Sequence, residues 1–192
     1  LLATQIRGYY EALKRFEIPV PASYTLVDDD GHLVECASDC GLDGYTILRQ
    51  GGGPFSGVEV VQAITRAALP ILLQREMWGV SLDLHPANWC FDATGRTAYV
   101  DFHPPRYLFE GEYLVGFPQP IDPQDLEYCH KRYFSAAGLL RMLRFNIIRA
   151  GGLRMNEVLT HALTEYPSTV QEFISSQFPP LPSSVGEVSD RL

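Results

Sequence analysis

No apolar run in this 192-residue sequence approaches the roughly 18 residues that a membrane-crossing helix needs. No basic-then-apolar segment of the secretory type is expected at its start. Cysteine is scarce. The four residues Cys36, Cys40, Cys90 and Cys129 are unevenly spread and mostly sit in apolar stretches, which favours reduced, packed thiols in a cytoplasm over a disulfide framework. A zinc site from Cys36, Cys40, Cys129 and His130 lacks the paired CxxC or HxxxH spacing such sites use. Positive charge is also short: 15 Lys and Arg stand against 23 Asp and Glu, a formal net charge of -8. That balance argues against nucleic acid or an anionic membrane as the main partner. What remains, 46% hydrophobic and 20% charged residues, describes one soluble globular unit with a real core.

Hydrophobic spacing then organises the chain. From Gln5 to Phe16, Ile6, Tyr9, Tyr10, Leu13 and Phe16 recur at three and four, which predicts an amphipathic helix ended by Pro19 and Pro21. Two β-prone runs, Tyr24 to Val27 and Leu33 to Ala37, flank the acidic turn Asp28 to Gly31 and predict a hairpin. A loop-like stretch follows through Asp43 and the run Gly51 to Pro54. Gly57 to Trp78 is a long helical pattern that Pro70 should kink or split. Trp89 to Phe91 and Thr97 to Val100 predict a second hairpin. A helix should begin at Asp122, which can cap it, and run to about Arg149 before Gly151 and Gly152 stop it. Met155 to Tyr166 and Thr169 to Phe178 predict shorter helices, and residues 179–192 a mobile, proline-rich tail. The helical pattern starts almost at once after Leu1, as expected of a piece of something longer.

The chemistry-bearing stretch is Ser81 to Asn88, then the second hairpin, then Asp101 and Phe102. Phosphoryl transfer needs a carboxylate to orient or deprotonate the acceptor hydroxyl, and oxygen ligands to hold Mg²⁺ against nucleotide phosphates. Asp83, Asn88 on the same loop, and Asp101 across a tight hairpin could supply these groups at one point. The string Asp83-Leu-His-Pro-Ala-Asn88, followed by Val100-Asp101-Phe102, resembles the D-x-H-x-x-N…[IV]-D-[FW] signature of aminoglycoside phosphotransferase and choline kinase-like enzymes within the protein-kinase-like superfamily.

The resemblance implies an α+β, mainly α fold: a kinase-like C-terminal lobe with one β-hairpin at the hinge side and a second at the catalytic loop. It implies residues 1–43 as a remnant of an N-terminal lobe, 44–178 as the C-terminal lobe and 179–192 as the tail. It further implies a Mg²⁺-ATP-dependent phosphotransferase acting on a hydroxyl of a small molecule. Asp83 would be the catalytic carboxylate, Asn88 and Asp101 the Mg²⁺ ligands, and His85 a loop-shaping residue. Glu11 falls near the helix glutamate that pairs with the phosphate-binding lysine. The segment Cys36 to Leu42, with Ser38 and Cys40, falls at the hinge whose backbone meets adenine.

The sequence departs from the family in three places. Ser81-Leu82 replaces the usual His-Gly, His103 follows Asp101-Phe102 where protein kinases have glycine, and no glycine-rich loop or lysine precedes the first helix. Two other readings therefore stand beside the enzyme: a catalytically inactive, pseudokinase-like binding module, and a divergent protein kinase.

Bland roles remain for several residues. Asp and Asn near turns often serve only local backbone bonding, and Glu11 on an exposed face is as readily a solvated charge. His103 can touch substrate or merely pack, and Arg106 can pair with a phosphate, with Asp83 or with a surface carboxylate. Asp28 to Asp30 reads as a solvated turn, and Gly51 to Gly53 as a connector lacking the Lys-Ser/Thr of a phosphate loop. Trp78 and Trp89 read as core anchors beside the catalytic loop.

Overall fold

The computed structural model describes residues 2–29, 32–50, 55–73, 80–103, 107–109, 112–114, 136–164 and 166–177. Helix α1 (Leu2–Arg15) buries Ile6, Tyr9, Ala12 and Leu13 on one face, as their spacing requires. It starts earlier than the expected Gln5. Its end is fixed by Glu17 at φ 58 and by the Ile18 N–H, which donates to the Leu13 carbonyl at 3.0 Å. Strands β1 (Tyr24–Asp29) and β2 (His32–Ala37) form the expected antiparallel hairpin, with Tyr24 opposite Ala37 and Val27 opposite Val34. The two-residue alternation turns Leu26 inward and leaves Val27 and Val34 exposed.

The stretch through Asp43 is a correction to the sequence reading. Where a loop was expected, the chain forms strand β3 (Leu42–Asp43) and helix α2 (Gly44–Gln50). The Asp43 carboxylate accepts from the Thr46 N–H at 2.9 Å and the Thr46 hydroxyl at 2.6 Å, capping the helix. Leu42 pairs with Phe91 and Asp43 with Cys90, partners too distant in sequence for a local pattern to reveal. Gly41 makes the approach possible. Its φ is 87, and a Cβ there would strike the Phe91 carbonyl and come within 2.8 Å of the Asp92 Cα.

Helix α3 (Gly57–Leu72) opens on a capping box. The Ser56 N–H donates to Glu59 Oε2 at 2.7 Å while the Glu59 N–H donates to Ser56 Oγ at 3.3 Å. Val60, Val61, Ile64, Ala68, Ile71 and Leu72 are buried. Pro70 lies inside the helix without an N–H of its own, yet the ladder continues past it, with the Leu73 N–H donating to the Leu69 carbonyl at 3.0 Å, and the helix ends at Leu72. Residues 74–79, with Trp78, lie outside the described residues.

A 3₁₀ turn (Pro86–Asn88) leads into β4 (Trp89–Phe91), which pairs with β5 (Thr97–Tyr99) and completes the three-stranded order β3-β4-β5. Asp92 Oδ1 ties the connecting turn by accepting from the Thr94 and Arg96 N–H groups at 2.8 and 3.0 Å. A third hairpin, β6 (Tyr107–Phe109) with β7 (Glu112–Leu114), was not anticipated; it lies next to α1.

Helix α4 (Ala136–Gly151) is followed by Gly152 at φ 79, then by α5 (Met155–Leu163) and α6 (Ser168–Gln177). The expected helix start at Asp122, the run Gly51 to Pro54, Pro104 to Arg106 and the tail 179–192 lie outside the described residues.

One buried cluster joins these parts: Ile6 and Leu13 of α1, Leu26 of β1, Ile64 of α3, Trp89 of β4 and Leu143 of α4 all belong to it. The architecture is mixed α+β and mainly helical, with small antiparallel sheets. No helix among the described residues is long and apolar enough to cross a membrane.

Candidate functional site

The segment from Val80 to Leu84 crosses the core without regular helix or strand. Ser81, Leu82 and Leu84 are buried, while Asp83 is only partly so. Leu82 and Leu84 anchor the segment and turn the intervening Asp83 outward. The His85 N–H donates to Asp83 Oδ1 at 2.9 Å, so the carboxylate is held by its own loop. His85 Nδ1 accepts the Ala87 N–H at 3.1 Å and caps the 3₁₀ turn, in which Pro86 takes the first position. That bond leaves Nδ1 as acceptor and places the imidazole proton on Nε2. Burial holds the His85 pKa below its ordinary value, against the opposing pull of Asp83. The ring stacks on Tyr45 at 5.4 Å.

Asn88 and Asp101 meet across the second hairpin. The Val100 N–H donates to the Asn88 carbonyl at 2.9 Å, which sets the two chains side by side. Asn88 Nδ2 then reaches Asp101 Oδ2 at 3.2 Å and the Asp83 carbonyl at 3.4 Å. Asp101 Oδ1 accepts the His103 N–H at 3.1 Å. Burial pushes the Asp101 pKa up to about 6; the His103 amide opposes this, and the nearby Asp83 charge adds to it. Among the charges acting on Asp101, Asp83 and Glu35 repel its ionised form and His103 favours it.

A carboxylate in such a place is suited to a divalent cation, which would supply the missing positive charge. Asp101 and Asn88 are hard oxygen donors of the kind Mg²⁺ takes, and not the thiolate and imidazole set of zinc. Among the described residues no group of three or more His, Cys, Asp or Glu is arranged to hold a metal alone. Mg²⁺ is compatible with so few protein ligands, because it ordinarily keeps waters and takes phosphate oxygens.

Phe102 is buried against α1 and the first hairpin, with its ring 5.4 Å from Tyr10 and 4.4 Å from Tyr24. Next to it, Glu35 of β2 accepts from the Tyr24 hydroxyl at 3.0 Å and lies 3.5 Å from His103 Nε2. His103 is thus placed between Asp101 and the hairpin.

The other expected residues fall elsewhere. Glu11 is exposed on α1, with its carboxylate 3.4 Å from Lys14 on the same helix. Cys36 is exposed in β2, the Ser38 N–H donates to the Ser23 carbonyl at 3.0 Å, and the Cys40 thiol donates to the Ser38 carbonyl at 3.1 Å. Burial raises the Cys40 pKa. This segment enters β3 and is thereby joined to the Trp89–Tyr99 hairpin. Arg106 lies outside the described residues.

Sequence reasoning did not single out Tyr9, Tyr99, Tyr45 or Glu35. Tyr9 and Tyr99 read as core because their rings are core; only the need of a buried hydroxyl for a partner marks them as more.

No family model, curated protein or solved structure matches this chain.

Proposed function

We propose that the chain carries the catalytic loop and the metal-binding pair of a Mg²⁺- and ATP-dependent phosphotransferase, in a kinase-like C-terminal lobe similar to the aminoglycoside and choline kinase-like branch. The acceptor is a hydroxyl of a small molecule. The observation that carries this reading is the 3.2 Å contact of Asn88 with Asp101, beside the loop that presents Asp83. Three residues spaced along the sequence as in the family signature converge, and of the two assigned to the metal, the carboxylate Asp101 is one whose ionisation the fold disfavours.

Asp101 and Asn88 would hold Mg²⁺, which when bound neutralises charge on the nucleotide phosphates. Asp83 orients the acceptor hydroxyl and takes its proton as the new oxygen–phosphorus bond forms and the bond from the γ-phosphorus to the bridging oxygen breaks, with ADP as the leaving group. His85 shapes the loop through its bond to the Ala87 amide, and Cys36, Ser38 and Cys40 lie on the segment that would meet the nucleotide base. Phosphotransfer from ATP to a panel of aminoglycoside and amino-alcohol acceptors tests the reading. Asp83→Asn should lower kcat by about 10²–10⁴-fold, the usual contribution of a general base; full activity in that variant refutes the role.

One observation favours the pseudokinase-like binding module as a second reading. Among the described residues Lys14 is the only lysine, and it sits exposed beside Glu11. Metal-dependent nucleotide binding without turnover on any acceptor would select that module.

A further inference from the structure

The segment Val80–Leu84 poses a physical problem that two tyrosines solve. Apart from the partly exposed Asp83, its residues are almost fully buried, with Ser81 at 1% and Leu82 and Leu84 at 0% exposure. Irregular backbone in a core has no ladder to satisfy its N–H and C=O groups, and each one left unpaired is costly. Tyr9 of α1 and Tyr99 of β5, both at 0% exposure, reach this segment from opposite elements. The Tyr9 hydroxyl donates to the Ser81 carbonyl at 2.7 Å. The Asp83 N–H donates to the Tyr99 hydroxyl at 3.1 Å.

The two bonds grip the segment at Ser81 and at Asp83, on either side of Leu82, with one hydroxyl donating and the other accepting. In a low-dielectric interior such bonds are electrostatically stronger than in water. Burial raises both phenol pKa values well above the ordinary tyrosine value, so both hydroxyls keep their protons throughout the physiological range.

We infer that Tyr9 and Tyr99 are positioning residues for Asp83, which clamp the Ser81–Asp83 backbone from α1 and from β5. The inference rests on the phosphotransferase reading for its catalytic consequence but not for the clamp itself. Neither tyrosine touches substrate or metal in this account. They set the peptide plane from which the Asp83 carboxylate projects, and misplacement by a fraction of an ångström is enough to slow a positioned reaction. The Tyr9 bond also ties α1 to the catalytic loop, so a helix far earlier in the sequence becomes part of the site's support.

The test uses Tyr9→Phe and Tyr99→Phe, each of which keeps the ring and removes one hydroxyl. Hydrogen exchange at the Asp83 amide should speed by at least about tenfold in Tyr99→Phe, which removes its acceptor. In phosphotransfer, each variant should lower kcat about tenfold or more with the KM for ATP changed less than twofold, the split expected of lost positioning. An unchanged Asp83 amide in Tyr99→Phe overturns the clamp, and unchanged kcat in both variants overturns the positioning role. Where the variants fold poorly, the unmodified chain decides. The Tyr9 hydroxyl proton and the Asp83 amide proton should both exchange slowly in its proton spectrum, and rapid exchange of either refutes the clamp. A chain inactive on every acceptor, yet with both protected protons and the amide effect in place, would refute the phosphotransferase reading and the catalytic consequence while sustaining the clamp.

Discussion

Replacing Asp101 by Asn should stabilise the metal-free chain, and by an amount that depends on pH. In the folded chain Asp101 keeps its proton up to about pH 6, because burial disfavours the charge. In the unfolded chain an aspartate gives up its proton near pH 4. A folded pKa raised above the unfolded one means that the stabilising contribution is complete below about pH 4 and is lost as pH rises through about 6. Linkage puts the full loss at about 3 kcal/mol, of which about 1 has already gone by pH 4.5.

The Asp101→Asn side chain does not titrate and carries no such dependence. Its amide carbonyl can still accept the His103 N–H, now received by Asp101 at 3.1 Å, and the Asn88 carboxamide must turn over to meet the new amide. That rearrangement adds an offset common to every pH. The gain of Asp101→Asn over the parent chain should therefore be about 2 kcal/mol larger at pH 8 than at pH 4.5. Urea denaturation of both proteins at the two pH values, without divalent cations, measures this directly, and taking the difference cancels the other titrating groups. An equal difference at both pH values would mean that Asp101 ionises in the folded chain without penalty.

Other perturbations test the supporting frame. Gly41→Ala should cost at least about 2 kcal/mol in urea unfolding, because it combines positive φ with a clash against the Phe91 backbone. Gly95→Ala, where φ is also positive but the nearest atom to a Cβ is a Phe55 ring carbon at 3.8 Å, should cost only about 1 kcal/mol. Equal losses would show that the clash is not what fixes Gly41. Ser56→Ala removes the cap of α3 and should lower stability by about 1 kcal/mol in the same assay, whereas no change would mean that Glu59 alone holds that helix end.

The elements that were legible in the sequence are those whose pattern is local. Helix α1 and the first hairpin follow from residue spacing and an acidic turn, and α3 from its apolar stripe, although it ends sooner after Pro70 than that stripe implies. Strand β3 and helix α2 were not legible. A two-residue strand carries no period, and its partners Phe91 and Cys90 are remote in sequence. The Asp43–Thr46 cap was the available signal, hidden beside glycines that read as loop.

The same division holds at the site. Asp83, Asn88 and Asp101 could be paired from sequence because a short hairpin fixes how residues 88 and 101 return to one another. Tyr9 and Tyr99 could not, because a tyrosine within an apolar stripe announces its ring and not its hydroxyl. Glu35 and His103 meet only through packing of the first hairpin on Phe102.

The most direct test of the metal–nucleotide site is titration calorimetry of the chain with ATP, with and without Mg²⁺, on the parent protein and on Asp101→Asn. The site described here predicts binding that requires Mg²⁺ in the parent and is lost, or weakened at least about tenfold, in the variant. Binding of equal strength with and without Mg²⁺, or undiminished in Asp101→Asn, would contradict it.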